Sequence, residues 1–258
     1  MNINKIKKNY WSTDKNEQAG WYITLPHPKN KNECQKLVDL YKSIYVIGES
    51  LGVYSVGTKA SKQPEGKDIY DRSQEIEWNF HENNQILSFG VANQLFSNRL
   101  FTAYSKLKYY SYDGTAIEKY VSNLGYVLLE SQQIDDTDYS LMFAREIPPI
   151  DIDGGCILDV NSIDNNQKEL IIYISLYTDI WFPWTIGIFA DDDDPVSHHP
   201  VFGECYDNRE LALFHTPLLN QFLSSTAKLV KDFGGTWEKS DEPSNYSIFI
   251  DDAGILLE

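Results

Sequence analysis

Basic residues are nearly missing from the C-terminal part of this 258-residue chain. Residues 151–258 hold 5 Lys and Arg against 20 Asp and Glu, a local charge of −15, whereas residues 1–150 hold 17 against 18, or −1. A field of that size repels phosphate and so argues against a nucleic-acid ligand, while it draws in a basic partner by steering. Acidity that serves only solubility is the plainer alternative. Cysteine is scarce too: Cys34, Cys156 and Cys205 lie far apart without a C-x-x-C pair, which argues against a disulfide framework or a zinc knuckle and leaves reduced, buried thiols. No apolar run reaches the ~18 residues needed to cross a bilayer, and the opening MNINKIKKNYW leads into polar sequence rather than a signal-peptide core. A cytoplasmic protein without a membrane partner is expected.

Catalytic signatures are also lacking. There is no P-loop, no kinase motif and no glycine-rich strand-to-helix turn of a dinucleotide-binding fold. His27, His81 and His215 have no neighbouring pattern that marks a base; His215, just before Thr216 and Pro217, reads as a capping or packing residue. Among 38 acidic residues, paired carboxylates carry no information about acid/base chemistry.

What is present is the material of a core, 42% hydrophobic and 14% aromatic. The stretch EIPPIDIDGG divides residues 1–150 from an acidic 151–258, either as a domain boundary or as a loop within one sheet. GWYITL and VYSV read as strands around a helix over KNECQKLVDLYKSIYVIGESLG, closed by Gly52. TAYSKLKYYSY alternates as a strand, a second helix is expected from Asp113 to Gly125 with YVLLE extended after it, and SLMFAREI is another strand. In the second part, CILDV and KELIIYISLY form a hairpin of buried or central strands. Asp207 and Glu210 suit a capping box for a short helix, and Thr216 and Pro217 suit a restart. The stripe Leu218, Leu219, Phe222, Leu223, Leu229, Val230 and Phe233 then runs to a stop at Gly234, followed by strands at TWEK, YSIFI and ILLE. The pattern is α+β, mostly antiparallel sheet covered by a few amphipathic helices. Three helix-glycine-strand joins, LGVYSV, LGYVLLE and FGGTWEK, raise the expectation of two similar α+β halves.

The segment DDDDPVSHHPVFGECYDNRE collects the side chains most suggestive of a site. His198 and His199 are adjacent, so in an extended loop they point to opposite sides, and no spacing among Asp194, His199, Glu204 and Cys205 matches a zinc or calcium motif. No metal and no cofactor is expected. Asp179, set in SLYTDIWFPW, needs a partner if buried, and Arg209 is the basic residue at hand; a buried acid between Trp181 and Trp184 is the functional alternative.

The series SLYTDIWFPW, an acidic loop, DNRELALFHTPLLNQFL and FGGTW resembles bacterial immunity-type proteins that accompany polymorphic or contact-dependent toxins, over roughly residues 170 to 240. The resemblance implies a non-enzymatic inhibitor that covers a toxin's active site or substrate surface. It makes Asp191, Asp192, Asp193, Asp194, Glu204 and Trp184 the contact residues for a basic protein partner, with no catalytic residues. A metal-dependent hydrolase using the 191–205 loop and a structural interaction protein are the rival readings.

Overall fold

The computed structural model describes residues 7–12, 18–26, 31–58, 101–121, 123–132, 148–153, 169–186, 194–201, 203–241 and 244–257. In order, these form β1 (Ala19–Pro26), α1 (Lys31–Ser50), β2 (Ser55–Thr58), β3 (Phe101–Tyr110), β4 (Ala116–Val121), α2 (Leu124–Gln132), β5 (Ile150–Asp153) and β6 (Glu169–Leu176). A 3-10 turn (Asp179–Trp181), β7 (Trp184–Thr185), β8 (Ser197–His199), β9 (Gly203–Asp207), α3 (Arg209–Phe233) and β10 (Thr236–Lys239) follow. A second 3-10 turn (Ser247–Phe249), β11 (Ile250–Asp251) and β12 (Gly254–Ile255) complete the described chain. The described strand pairs are antiparallel, and the fold is α+β as the sequence pattern indicates.

The largest sheet runs β10-β1-β6-β5. Alternation builds it: Trp21, Ile23 and Leu25 of β1 and Ile172, Ile174 and Leu176 of β6 are buried on the core face. On the other face Tyr22 meets its cross-strand partner Tyr173 edge to face at 5.0 Å. β6 holds the central position expected of its apolar run. β1 lies between β6 and β10, and β5 comes from EIPPIDIDGG itself, so this sheet draws strands from both sides of that stretch.

Helix α3 covers the core. Leu211, Ala212, His215, Thr216, Leu219, Phe222, Leu223, Thr226 and Val230 are buried at helical spacing. Gly234 ends the helix at φ 89°, with Gly234 and Gly235 N–H groups donating to the Lys231 and Val230 carbonyls, the left-handed stop that the sequence announces. Phe222 packs edge to face on Tyr54 at 5.7 Å, and Tyr54 donates to the Ile44 carbonyl of α1. At the far side Asn220 donates to the Ile255 carbonyl at 2.8 Å and accepts from the Ile255 N–H at 2.9 Å, fastening β12 to the helix.

Four local expectations are corrected. The expected helix from Asp113 to Gly125 is instead a hairpin into β4, with the helix beginning afterwards at Leu124, so YVLLE is helical. Asp113 closes the hairpin turn by accepting from Thr115 N–H and the Ser111 hydroxyl, Gly114 sits at φ 82°, and Asn123 accepts from Gly125 N–H at the start of α2. One of the three helix-glycine-strand joins therefore disappears. Thr216 and Pro217 do not restart a helix: α3 is continuous, and the Thr216 hydroxyl donates to the Trp181 carbonyl. Pro217 is exposed on the solvent side of α3, where its missing N–H leaves the Leu213 carbonyl without a helical partner. At the helix start Asn208, not Asp207, holds the cap position, and its side chain donates backward to the Ile180 and Phe182 carbonyls. Within YSIFI, residues 247–249 form a 3-10 turn before the strand begins at Ile250. SLMFAREI, CILDV and the turn after it lie outside the described residues.

Candidate functional site

A surface cleft of about 570 Å³ opens where α3 begins, lined by Tyr10, Pro195, Asp207, Arg209, Glu210 and Leu213. Its position follows from how residues 7–12 are fastened. Asn9 and Tyr110 of β3 exchange hydrogen bonds, Asn9 donating to the Tyr110 carbonyl and Tyr110 N–H donating to Asn9. Thr185 donates to the Tyr10 carbonyl at 3.0 Å, and Thr178 to the Ser12 carbonyl at 2.8 Å. This segment therefore bridges β3 and the 178–185 loop, and its outward side chains become one wall of the cleft. Tyr10 stacks on Tyr206 of β9 at 4.7 Å and donates to Asp194. Burial, and then the Asp194 carboxylate, push the Tyr10 phenol up.

The opposite wall is a row of charge. Arg209 binds Asp207 through two nitrogens, at 2.9 and 2.6 Å, and lies over the Trp184 ring at 4.8 Å. Lys7 meets Glu210 at 2.5 Å, with Lys108 on the other carboxylate oxygen at 3.8 Å. Hydrogen bonds from Lys7 and Tyr110 hold the Glu210 carboxyl below its ordinary range, and Arg209 does the same for Asp207. Leu213, 62% exposed, Pro195 and Val196 add apolar surface beside these pairs, and Val201 is 71% exposed at the β8–β9 turn.

Beneath the cleft, Asp179 is fully buried and does not pair with Arg209. It accepts from the Ser12 N–H, the Ser12 hydroxyl and the Tyr246 hydroxyl, so three uncharged donors take the place of the expected guanidinium. Burial pushes its carboxyl up to about 6, against the pull of those donors. Burial and the adjacent Asp179 charge raise the Tyr246 phenol. With no exposed atom, the group meets no solute and acts as an anchor for the 7–12 segment. His215 is likewise a packed residue: its Nε2 accepts from Lys108 N–H at 2.9 Å, Trp181 lies edge to face at 5.5 Å, and burial drives it down to about 3.

The expected contact residues separate in the structure. Asp191, Asp192 and Asp193 lie outside the described residues. Asp194 is turned inward, 8% exposed, and meets Lys8 at 3.2 Å. Glu204 is exposed on β9, opposite His198 on β8. Trp184 is half-buried beneath Arg209. The two histidines diverge as their adjacency requires, His198 outward and His199 against Phe249 at 5.3 Å and Trp184 at 5.9 Å. Cys205 is a buried thiol directed at the Ser197 carbonyl. Among the described residues no three His, Cys, Asp or Glu side chains converge as a metal ligand set. Lys7, Lys8, Tyr10 and Leu213 were not legible as site residues: Tyr10 meets Asp194 across 184 residues of chain, and no local pattern marks such a pair.

The fold and the cleft together define an α+β protein with an open, charge-lined surface groove at a helix start. Comparisons with protein-family models, with curated proteins and with solved structures find no match to this chain. No described helix is long and apolar enough to cross a membrane.

Proposed function

We propose that this chain is a non-enzymatic binding protein that docks a basic protein partner, as an immunity protein covers the active site or substrate surface of a cognate bacterial toxin domain. The observation that carries the reading is the make-up of the cleft, where exposed Pro195 and Leu213 stand beside exposed Asp207 and Glu210, together with exposed Val196, Val201 and Glu204 on the adjoining segment and β8–β9 hairpin. Apolar side chains supply contact energy in such an interface, and carboxylates supply orientation and on-rate. Asp207 and Glu210 are matched by cations of their own chain, so steering falls to Glu204, to the aspartates 191–193 that precede Asp194, and to the surplus charge of residues 151–258. The buried carboxyl of Asp179 is sealed from solvent, which supports a structural use for it over a catalytic one.

Co-expression with the product of the neighbouring gene in a sensitive host tests the reading. Protection and a complex that weakens with salt are expected, and Leu213→Glu lowers affinity by at least about tenfold, the loss of one well-placed apolar contact. Neither protection nor a complex at low salt would overturn it.

A further inference from the structure

We infer that Lys7 is an intramolecular cover on the cleft carboxylate Glu210, a self-contact that an arginine of the docking partner displaces. The inference rests on the binding reading above. Residues 9–12 are fixed through buried groups: Asn9 to β3, Tyr10 and Ser12 to Thr185, Thr178 and Asp179. Lys7, which precedes them, meets Glu210 and the Tyr110 hydroxyl through its ammonium group. The Lys7 and Glu210 side chains are 55% and 53% exposed. Such a pair is weak in water, worth well under the cost of moving the backbone that carries it, so the tip can leave while the segment stays. An anchored base with a releasable end is the arrangement of a strap.

The ligand chemistry follows from Glu210. Its two oxygens are approached by two separate ammonium groups, Lys7 at 2.5 Å and Lys108 at 3.8 Å. A single guanidinium presents two parallel N–H donors to both oxygens at once, and loses less freedom for each bond than two flexible lysines do. The neighbouring Arg209 already occupies Asp207 in that two-pronged way while lying on Trp184, so the surface accommodates guanidinium stacking. Leu213 and Pro195 line the same cleft and would meet the methylene stem of an entering arginine.

Titration calorimetry of the full chain with hexa-arginine and hexa-lysine peptides at low salt tests this. The parent is expected to bind hexa-arginine more tightly than hexa-lysine. Lys7→Gln tightens hexa-arginine binding by about two- to fivefold, as expected for release of a weak surface ion pair. The gain from Lys7→Gln vanishes when Glu210→Gln is added. Lys228→Gln changes the net charge equally from an exposed site later on α3 and gives no comparable gain. An equal gain from Lys228→Gln, or no gain from Lys7→Gln in a parent that binds, overturns the cover and leaves the binding reading standing. Failure of every variant to bind either peptide overturns both.

Discussion

Asp179 and His215 are buried ionisable residues whose protons push stability in opposite directions. Asp179 is raised from 3.8 to about 6, so the stability from its protonated form is full below about pH 4 and is lost as pH rises through 6. His215 is lowered from 6.5 to about 3, so the stability from its neutral form is full above about pH 6.5 and is lost as pH falls toward 3. Between about pH 4 and 6 the two oppose each other, each at up to about 1.4 kcal/mol per pH unit. Asp179→Asn removes one side of that balance, and its stability should fall more steeply than the parent's on acidification across that window. His215→Gln should shift the slope the other way. Denaturant unfolding at about pH 6.5, 5.5 and 4.5 measures this, and three parallel profiles would refute it. Neither assignment came from local sequence in full. The histidine was expected to cap or pack from its place before Thr216 and Pro217, and it packs although no helix restarts there, but Asp179's partners were not legible. Ser12 lies 167 residues away and Tyr246 lies 67 away, whereas the nearer Arg209 found a carboxylate two residues from itself. Proximity in sequence decided the arginine's partner, and burial decided the aspartate's.

Among elements, α3 was the most legible and the hairpin at residues 111–121 the least. An amphipathic stripe and a left-handed glycine are local properties, so Leu219, Phe222, Leu223, Val230 and Gly234 announce the helix without reference to the rest of the chain. Ile117, Tyr120, Val121 and Leu124 mimic that stripe, yet the Asp-Gly pair at 113–114 and the β-branched and aromatic content belong to a hairpin, and β3 was there to pair with. The middle of α3, where Asn220 holds β12, offers a sharp test. Gly254 sits at φ 137°, and a Cβ there would lie 2.1 Å from Asn220 Oδ1. Gly254→Ala therefore forces a strained backbone and breaks the two hydrogen bonds between Asn220 and Ile255, for a loss of about 2 kcal/mol or more. Asn220→Ala should cost about 1 to 3 kcal/mol by itself, and the double variant should cost less than the sum, because both remove the same clamp. Additive losses in chemical unfolding would show that the clamp does not couple them.

Over the whole molecule, the charge divides near residue 150 but the backbone does not follow it. β1 fills the place between β6 and β10, and residues 7–12 tie β3 to the 178–185 loop. A fragment of residues 151–258 alone lacks the strand that joins those two and should show no cooperative thermal transition by circular dichroism. A cooperative melt near that of the full chain would contradict this. The sequence by itself determined the class of fold, the amphipathic helix and its stop, the strands β1, β6 and β10 of the main sheet and the uneven charge, because periodicity, glycine conformation and composition act within a few residues. Only the tertiary structure decided that Asp194 turns inward to Lys8, that Asp179 anchors a distant segment, and that Tyr10, Glu210 and Leu213 share a cleft. Those outcomes depend on which groups become buried together, and burial makes each polar atom find a partner wherever the chain has brought one.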